Sequence, residues 1–369
     1  MKTKHNNNMK NSKRFIVIII IFFILSINSI YSFTKFITDW QYSLIIKQTI
    51  FYLIGILSIF IMLKFNPKKL LDYSLYLYIF NVSLLILVLF IGTELNGTRA
   101  WFSLPLIGTI QPSEFMKIGL ILYLAKVIDK AKLTNYKDEI KLIFKVLLIT
   151  LIPSIVTFLE PDTGAVLIYF IIALAMLFAS KLRIRYFLIL FGGILIVLIS
   201  LLYLYTTKQD LFITIFGSNM FYRLDRIFDW KSSSGMQLEN SILSIGSSKT
   251  FGNGINNINL YFPEGHTDFI FASLASIYGF TGMIILIITI IAFDYSILNI
   301  RSKENSYNLI VIGFFSAIFY QQIQNISMTI GLLPITGITL PFISYGGSSL
   351  ISYMILLGII FSINKKELT

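Results

Sequence analysis

Residues 263–271 read Pro263-Glu264-Gly265-His266-Thr267-Asp268-Phe269-Ile270-Phe271, and an apolar run continues from them to about 295. The stretch carries a long polar loop into a long apolar helix. It sets Asp268, with Glu264 and His266 nearby, at a boundary between membrane and water. An ionisable residue on the membrane side of such a boundary is costly unless it is paired, hydrated or used.

Apolar runs of similar length recur along the 369 residues, as spanning helices require. The chain is 56% hydrophobic with a mean hydropathy of +0.79, too apolar for a soluble domain of this size. The runs are also too long and uniform for barrel strands. The expected class is therefore an all-α polytopic membrane protein. Ten spans are expected: 15–33, 42–64, 70–93, 110–128, 141–159, 163–180, 184–205, 267–295, 307–331 and 341–363. The basic stretch 1–14 reads as a cytoplasmic tail, and 15–33 as a signal anchor, because no small-residue cleavage site follows. Residues 15–363 form one membrane domain, 206–266 its large extracytoplasmic loop with short or interfacial helices, and 364–369 a second cytoplasmic tail.

Loop charges set the orientation. Lys64, Lys68 and Lys69, then Lys130, Lys132, Lys137 and Lys141, then Lys181, Arg183 and Arg185 fall on one side. Arg301, Lys303, Lys365 and Lys366 join them, which puts both termini in the cytoplasm. The formal charge of +12 follows from this bias and does not point to nucleic acid. There is no cysteine, so disulfides, thiolate nucleophiles and cysteine metal sites are excluded. Walker A, Rossmann and HExxH patterns are absent, and neither ATP, nicotinamide nor structural zinc is expected.

Four further constellations carry chemistry. The polar cluster 96–117 holds Arg99, Glu114 and Lys117; Glu114 and Lys117 lie three apart and share a helix face. They either pair to fix helix packing, or Arg99 and Lys117 face an anionic ligand. Glu160-Pro161-Asp162-Thr163-Gly164 is a tight turn in which Asp162 or Thr163 caps the next helix. In the large loop Arg223 and Arg226 also lie three apart, suited to bidentate phosphate contact or to headgroups and solvent. Gln321, Gln322, Gln324 and Asn325 read as interhelical glue. The Gly- and Pro-rich segment 331–349 after them reads as broken backbone, tolerated at membrane depth only against protein or a wet cavity. It predicts a polar cavity close to Asp268. Asp268 itself is an N-cap on one reading. On another, Thr267 caps and the free acid serves as a general base or a cation ligand.

The run Pro263-Glu264-x-His266-Thr267-Asp268-Phe269-Ile270-Phe271-Ala272, the run Gly331-Leu332-Leu333-Pro334-x-Thr336-Gly337-Ile338, and Leu340 to Ser349 together resemble the SEDS family of RodA, FtsW and SpoVE. Asn96-Gly97-x-Arg99-x-Trp101 and Gln111-Pro112-Ser113-Glu114-Phe115-x-Lys117 match it as well. The resemblance implies a ten-span bundle and a peptidoglycan glycosyltransferase. Such an enzyme polymerises lipid II at the outer face of the bacterial cytoplasmic membrane, beside a class B penicillin-binding protein. Asp268 would act on the acceptor sugar 4-hydroxyl, with undecaprenyl pyrophosphate leaving. Arg99, Lys117, Arg223 and Arg226 are the candidate phosphate ligands, with a divalent cation, magnesium or manganese, as an optional addition. Glu114, Glu264, His266, Ser344, Gly346 and Gly347 are further substrate-site candidates.

Three departures from the family pattern stand out. Its adjacent acidic pair becomes Ser276 and Ile277, its second arginine becomes Ala100, and its Gly-Lys-Gly becomes Gly252-Asn253-Gly254. Two other functions therefore stay open: a lipid II flippase, and a non-catalytic scaffold for the penicillin-binding protein.

Overall fold

The computed structural model describes residues 2–36, 41–95, 98–104, 108–218, 221 and 235–366. The long apolar runs fold as helices because only intrasegment hydrogen bonds satisfy a backbone in lipid. In chain order they are α1 (Lys2–Phe33), α2 (Gln41–Met62), α3 (Pro67–Asp72), α4 (Ser74–Ile91), α5 (Pro112–Asp129), α6 (Tyr136–Leu159) and α7 (Thr163–Phe178). Then come α8 (Ile184–Thr207), α9 (Gln209–Phe216), α10 (Gly235–Ser247), α11 (Ile270–Leu298), α12 (Asn305–Thr329) and α13 (Gly347–Lys366). The first helix begins at Lys2, inside the stretch expected to be a tail.

Among the described residues, seven helices are long and apolar enough to cross a membrane, or eight if a bent pair across 195–216 counts as one. Two of the expected spans fall outside that set for clear reasons. α7 is apolar but has 16 residues, and α5 carries Glu114, Lys117, Lys126 and Asp129. Outward faces are apolar stripes, such as Leu53, Leu57 and Phe60 on α2, spaced to lie on one side of a helix.

The helices pack α13 on α2, α4 on α5, α12 on α7 and α1 on α11. Aromatic contacts fill the centre: Phe293 of α11 meets Phe22 of α1 at 5.6 Å and Phe342 of the broken segment at 5.0 Å, both edge-on.

The all-α expectation needs one correction. Between α4 and α5 lie three antiparallel strands, β1 (Thr93–Leu95), β2 (Thr98–Leu104) and β3 (Gly108–Ile110), in the order β1-β2-β3. Thr93 pairs with Trp101, and Phe102 with Ile110. Threonine and aromatic residues suit such a hairpin, but β1 and β3, with three residues each, are too short for periodicity to reveal.

α11 breaks at Gly279, where φ is +64°. The groups freed by the break are taken by the loop after α10. Asn253 and Gly254 N–H donate to the Ser276 and Ile277 carbonyls at 2.8 and 3.1 Å. Phe280 and Thr281 N–H donate to the Lys249 and Thr250 carbonyls, both at 3.0 Å. The approach is close enough that a Cβ on Gly252 would lie 2.2 Å from the Ile277 carbonyl oxygen, and φ there is +79°. Gly252→Ala is therefore expected to destabilise the protein by more than about 1 kcal/mol. Gly246→Ala, in open space on α10, is expected to leave it unchanged or raise it. Thermal melts of the two purified variants check the contrast.

Candidate active site

The residues before α11 do not continue its helix. Glu264 has φ +56°, a left-handed conformation rare for a side chain of this kind. Its carbonyl accepts from Thr267 N–H at 3.2 Å and from Phe269 N–H at 2.9 Å, and its carboxylate from the Thr267 hydroxyl at 2.5 Å. The cap position falls on Phe269, which makes no side-chain cap bond. Asp268 is thus not the N-cap of α11, and neither is Thr267.

Two irregular segments hold each other. Asn325 Nδ2 donates to the Asp268 carbonyl at 2.7 Å and to the Ile338 carbonyl at 2.8 Å. Ser344 Oγ donates to the Thr267 carbonyl at 2.7 Å, and Tyr345 N–H to the His266 carbonyl at 2.9 Å. Gln48 of α2, wholly buried, donates to the Ser344 carbonyl, and Gln324 to the Pro334 carbonyl. Of the four amides expected as interhelical glue, Gln324 and Asn325 secure non-helical backbone, while Gln321, which accepts from the Tyr353 hydroxyl of α13, and Gln322, which donates to Asp294 of α11, join helices as expected.

Between these segments, the β-hairpin and the start of α7 lies a cavity of about 450 Å³. Four carboxylates line it: Glu114, Asp162, Glu264 and Asp268. Gly346 and Gly347 line it too, whereas Ser344 works from behind as a tether. Three of the acids are engaged. Glu114 pairs with Lys117 Nζ at 2.5 Å. Asp162 accepts from Gln111 Nε2 (3.0 Å), Ser113 Oγ (3.2 Å) and, as the cap of α7, Ala165 N–H (3.0 Å). Glu264 holds Thr267. The half-buried Asp268 carboxylate has no hydrogen-bond partner among the described residues. Burial first, then the Glu264 and Asp162 charges, push its carboxyl up to about 7. Burial also raises Asp162, while it lowers His266 and keeps that imidazole neutral. His266 stacks on Phe33 at 5.7 Å and does not line the cavity.

The expected cations are elsewhere. Lys117 is buried, bonded to Glu114 and to the Tyr353 hydroxyl at 3.0 Å, as a packing pair would be. Arg99 is exposed and faces Glu94 at 3.5 Å. Arg223 and Arg226 lie outside the described residues. Among the described residues no lysine or arginine lines the cavity, and no three His, Asp or Glu side chains gather to hold a metal. Sequence reasoning missed Trp101 and Thr336 as lining groups, and took Asp162 for a cap alone. The Thr336 hydroxyl is buried with no hydrogen-bond partner among the described residues.

The two departures in the large loop and α11 meet in space: Asn253 Nδ2 lies 3.4 Å from Ser276 Oγ, at the helix break and away from the cavity.

Removing one partner of the buried pair strands the other. Lys117→Ala is expected to cost about 3–5 kcal/mol, and Glu114→Gln with Lys117→Met together to cost less than Lys117→Ala alone. Denaturation midpoints of the single and double variants give the comparison.

A family of cell cycle proteins, FtsW/RodA/SpoVE, matches residues 10–368. "Probable peptidoglycan glycosyltransferase FtsW" of Haemophilus influenzae is 32% identical over 87% of this chain and 81% of its own length. The Bacillus subtilis protein of that name is 33% identical over 87% and 83%. Among solved structures, RodA of Thermus thermophilus aligns with a TM-score of 0.68 at 24% identity, covering 96% of each chain. A chain from the structure described as "Structural coordination of polymerization and crosslinking by a peptidoglycan synthase complex" aligns at 0.77 and 24%, over 95% of this chain and 97% of that one.

Proposed function

The chain belongs to the FtsW/RodA/SpoVE family, and from that premise we propose that it is a peptidoglycan glycosyltransferase that polymerises lipid II. It works at the outer face of the bacterial cytoplasmic membrane with Asp268 as its general base. In this reading ten helices cross the membrane, α1, α2, α4 to α8 and α11 to α13, with both termini in the cytoplasm. The loop lysines and arginines support that orientation.

One observation carries the mechanism: a carboxylate with no partner among the described residues, raised to about 7, faces a cavity of sugar size. A general base serves best when its pKa lies near the working pH. The acceptor hydroxyl enters beside Asp268. Its oxygen bonds to the anomeric carbon of the donor while its proton passes to the carboxylate. The bond from that carbon to the pyrophosphate oxygen breaks, and undecaprenyl pyrophosphate leaves with the electron pair. Trp101 offers an aromatic wall to the acceptor sugar.

An acidic cavity is a poor place for a pyrophosphate. The donor's phosphates therefore stay outside it, with Arg99 on the exposed hairpin to meet them and Arg223 and Arg226 as further candidates by sequence. Among the described residues no three His, Asp or Glu side chains gather to hold a divalent cation, and no step is routed through one. A class B penicillin-binding protein is the proposed partner, supported by the fold shared with a chain of a peptidoglycan synthase complex.

Glycan polymerisation from labelled lipid II, with and without that partner, tests the reading. Asp268→Ala and Asp268→Asn are expected to lose roughly 10²-fold or more of the rate while keeping the partner. Equal polymerisation by wild type and Asp268→Ala, or none by either in an intact complex, overturns it.

The base must be deprotonated, so the rate is expected to rise with pH through about 7 and then level. Glu264→Gln removes a negative neighbour that holds this value up, so its acid limb should move to lower pH. A limb that stays in place, or moves up, in pH–rate profiles of the two proteins counts against Asp268 as the titrating group.

A further inference from the structure

A second cavity, of about 420 Å³, opens at the opposite end of the bundle, where α4, α5 and α6 come together. Lys126, Lys130, Lys132, Lys141 and Lys145 line it. Asp138 is the single carboxylate among the lining residues, and it is engaged. Its oxygen takes the Thr134 hydroxyl at 2.6 Å and the Thr134 and Asn135 N–H groups, in the capping box of α6. Lys126 donates to the Asp72 carbonyl at 2.6 Å. Among the described residues the other four amines join no salt bridge.

The walls are apolar. Leu75, Tyr123, Val127 and Leu142 line the cavity beneath the amines. One turn deeper on α6 the Tyr78 hydroxyl donates to the Ile149 carbonyl at 2.7 Å and closes α4 against α6. Beside the cavity, Phe144 and Leu148 on α6 and Tyr76 and Phe80 on α4 are exposed. Surface lysines on a loop attract anions diffusely and are screened within about a Debye length. Five amines around one apolar-walled cavity, next to a lipid-facing surface, suit a ligand with an anionic head and an apolar tail.

We propose that this cavity binds the headgroup phosphate of an anionic glycerophospholipid from the cytoplasmic leaflet, its acyl chains lying along the exposed faces of α4 and α6. The leaflet assignment rests on the orientation proposed above. The phosphate sits among the lysine amines, and the lysine stems pack on the apolar wall.

The test is native mass spectrometry of the purified full-length protein in detergent, titrated with phosphatidylglycerol and, separately, phosphatidylethanolamine. Phosphatidylglycerol is expected to give a favoured first adduct. Lys130→Gln/Lys141→Gln/Lys145→Gln is expected to weaken that adduct roughly tenfold or more. Lys64→Gln/Lys68→Gln/Lys365→Gln, which removes equal charge from exposed positions outside the cavity, is expected to leave it unchanged. Lys141→Gln alone should show part of the loss, so the test stays readable if the triple variant fails to fold.

Equal adducts from the two lipids, or equal losses in the two triple variants, overturn the proposal. Displacement of the lipid by inorganic phosphate at the same concentration replaces a lipid site with a free-phosphate site and overturns it too. The measurement uses neither lipid II nor Asp268, so its failure leaves the glycosyltransferase reading untouched, and the reverse.

Discussion

The Asn325 side chain donates two hydrogen bonds from one amide nitrogen, to the Asp268 and Ile338 carbonyls, and the cavity depends on them. A bundle of apolar helices has no natural hollow for a sugar. Non-helical backbone makes one, but its carbonyls and N–H groups then need partners that lipid cannot supply. Here two irregular stretches, before α11 and after α12, are satisfied by buried amides and hydroxyls from α2, α12 and each other. Phe342 pins the second stretch from beneath by inserting among Phe22, Phe293 and Tyr353. The polar and apolar anchors act on the same segment, one fixing its backbone and the other its depth.

The cavity so formed is negative, and that shapes the chemistry it permits. Each engaged acid has a fixed donor: Lys117 for Glu114, three donors for Asp162, the Thr267 hydroxyl for Glu264. Their charge is held in place and bears on the one cavity acid with no hydrogen-bond partner among the described residues. Burial is the largest cause of the rise in the Asp268 pKa, and the Glu264 and Asp162 charges add to it. A base matched to neutral pH arises from packing and like charge, with no cation needed beside it. A phosphate contact in the same hollow would work against this arrangement, since a lysine or arginine there would pull the carboxyl back down.

Much of this was legible in the sequence because it rests on local chemistry. An acid at the mouth of an apolar run, and a Gly- and Pro-rich break after an amide-rich helix, each point to irregular backbone without knowledge of tertiary contacts. What failed to show was long-range. Nothing near Lys117 says that Tyr353 waits 236 residues away to bury it. The Asp162 turn reads as a cap, and it is one, but its second role depends on Gln111 and Ser113 arriving from α5. The hairpin hides because two of its three strands have only three residues. Arg99 stands out by its charge, but the strand pairing that sets it beside Glu94 does not show in the sequence.

The same distinction bears on the residues where this chain departs from its family. The pattern has an acidic pair after the Asp268 run and a lysine between two glycines, and here Ser276 and Asn253 stand in those places. They lie against each other at the Gly279 break, where main-chain bonds already join the two segments. With both positions neutral, an amide faces a hydroxyl across the same backbone frame, and no charge is left unpaired between them. Neither side chain lines the cavity that holds Asp268. Both substitutions sit in the junction that joins the loop after α10 to the break in α11.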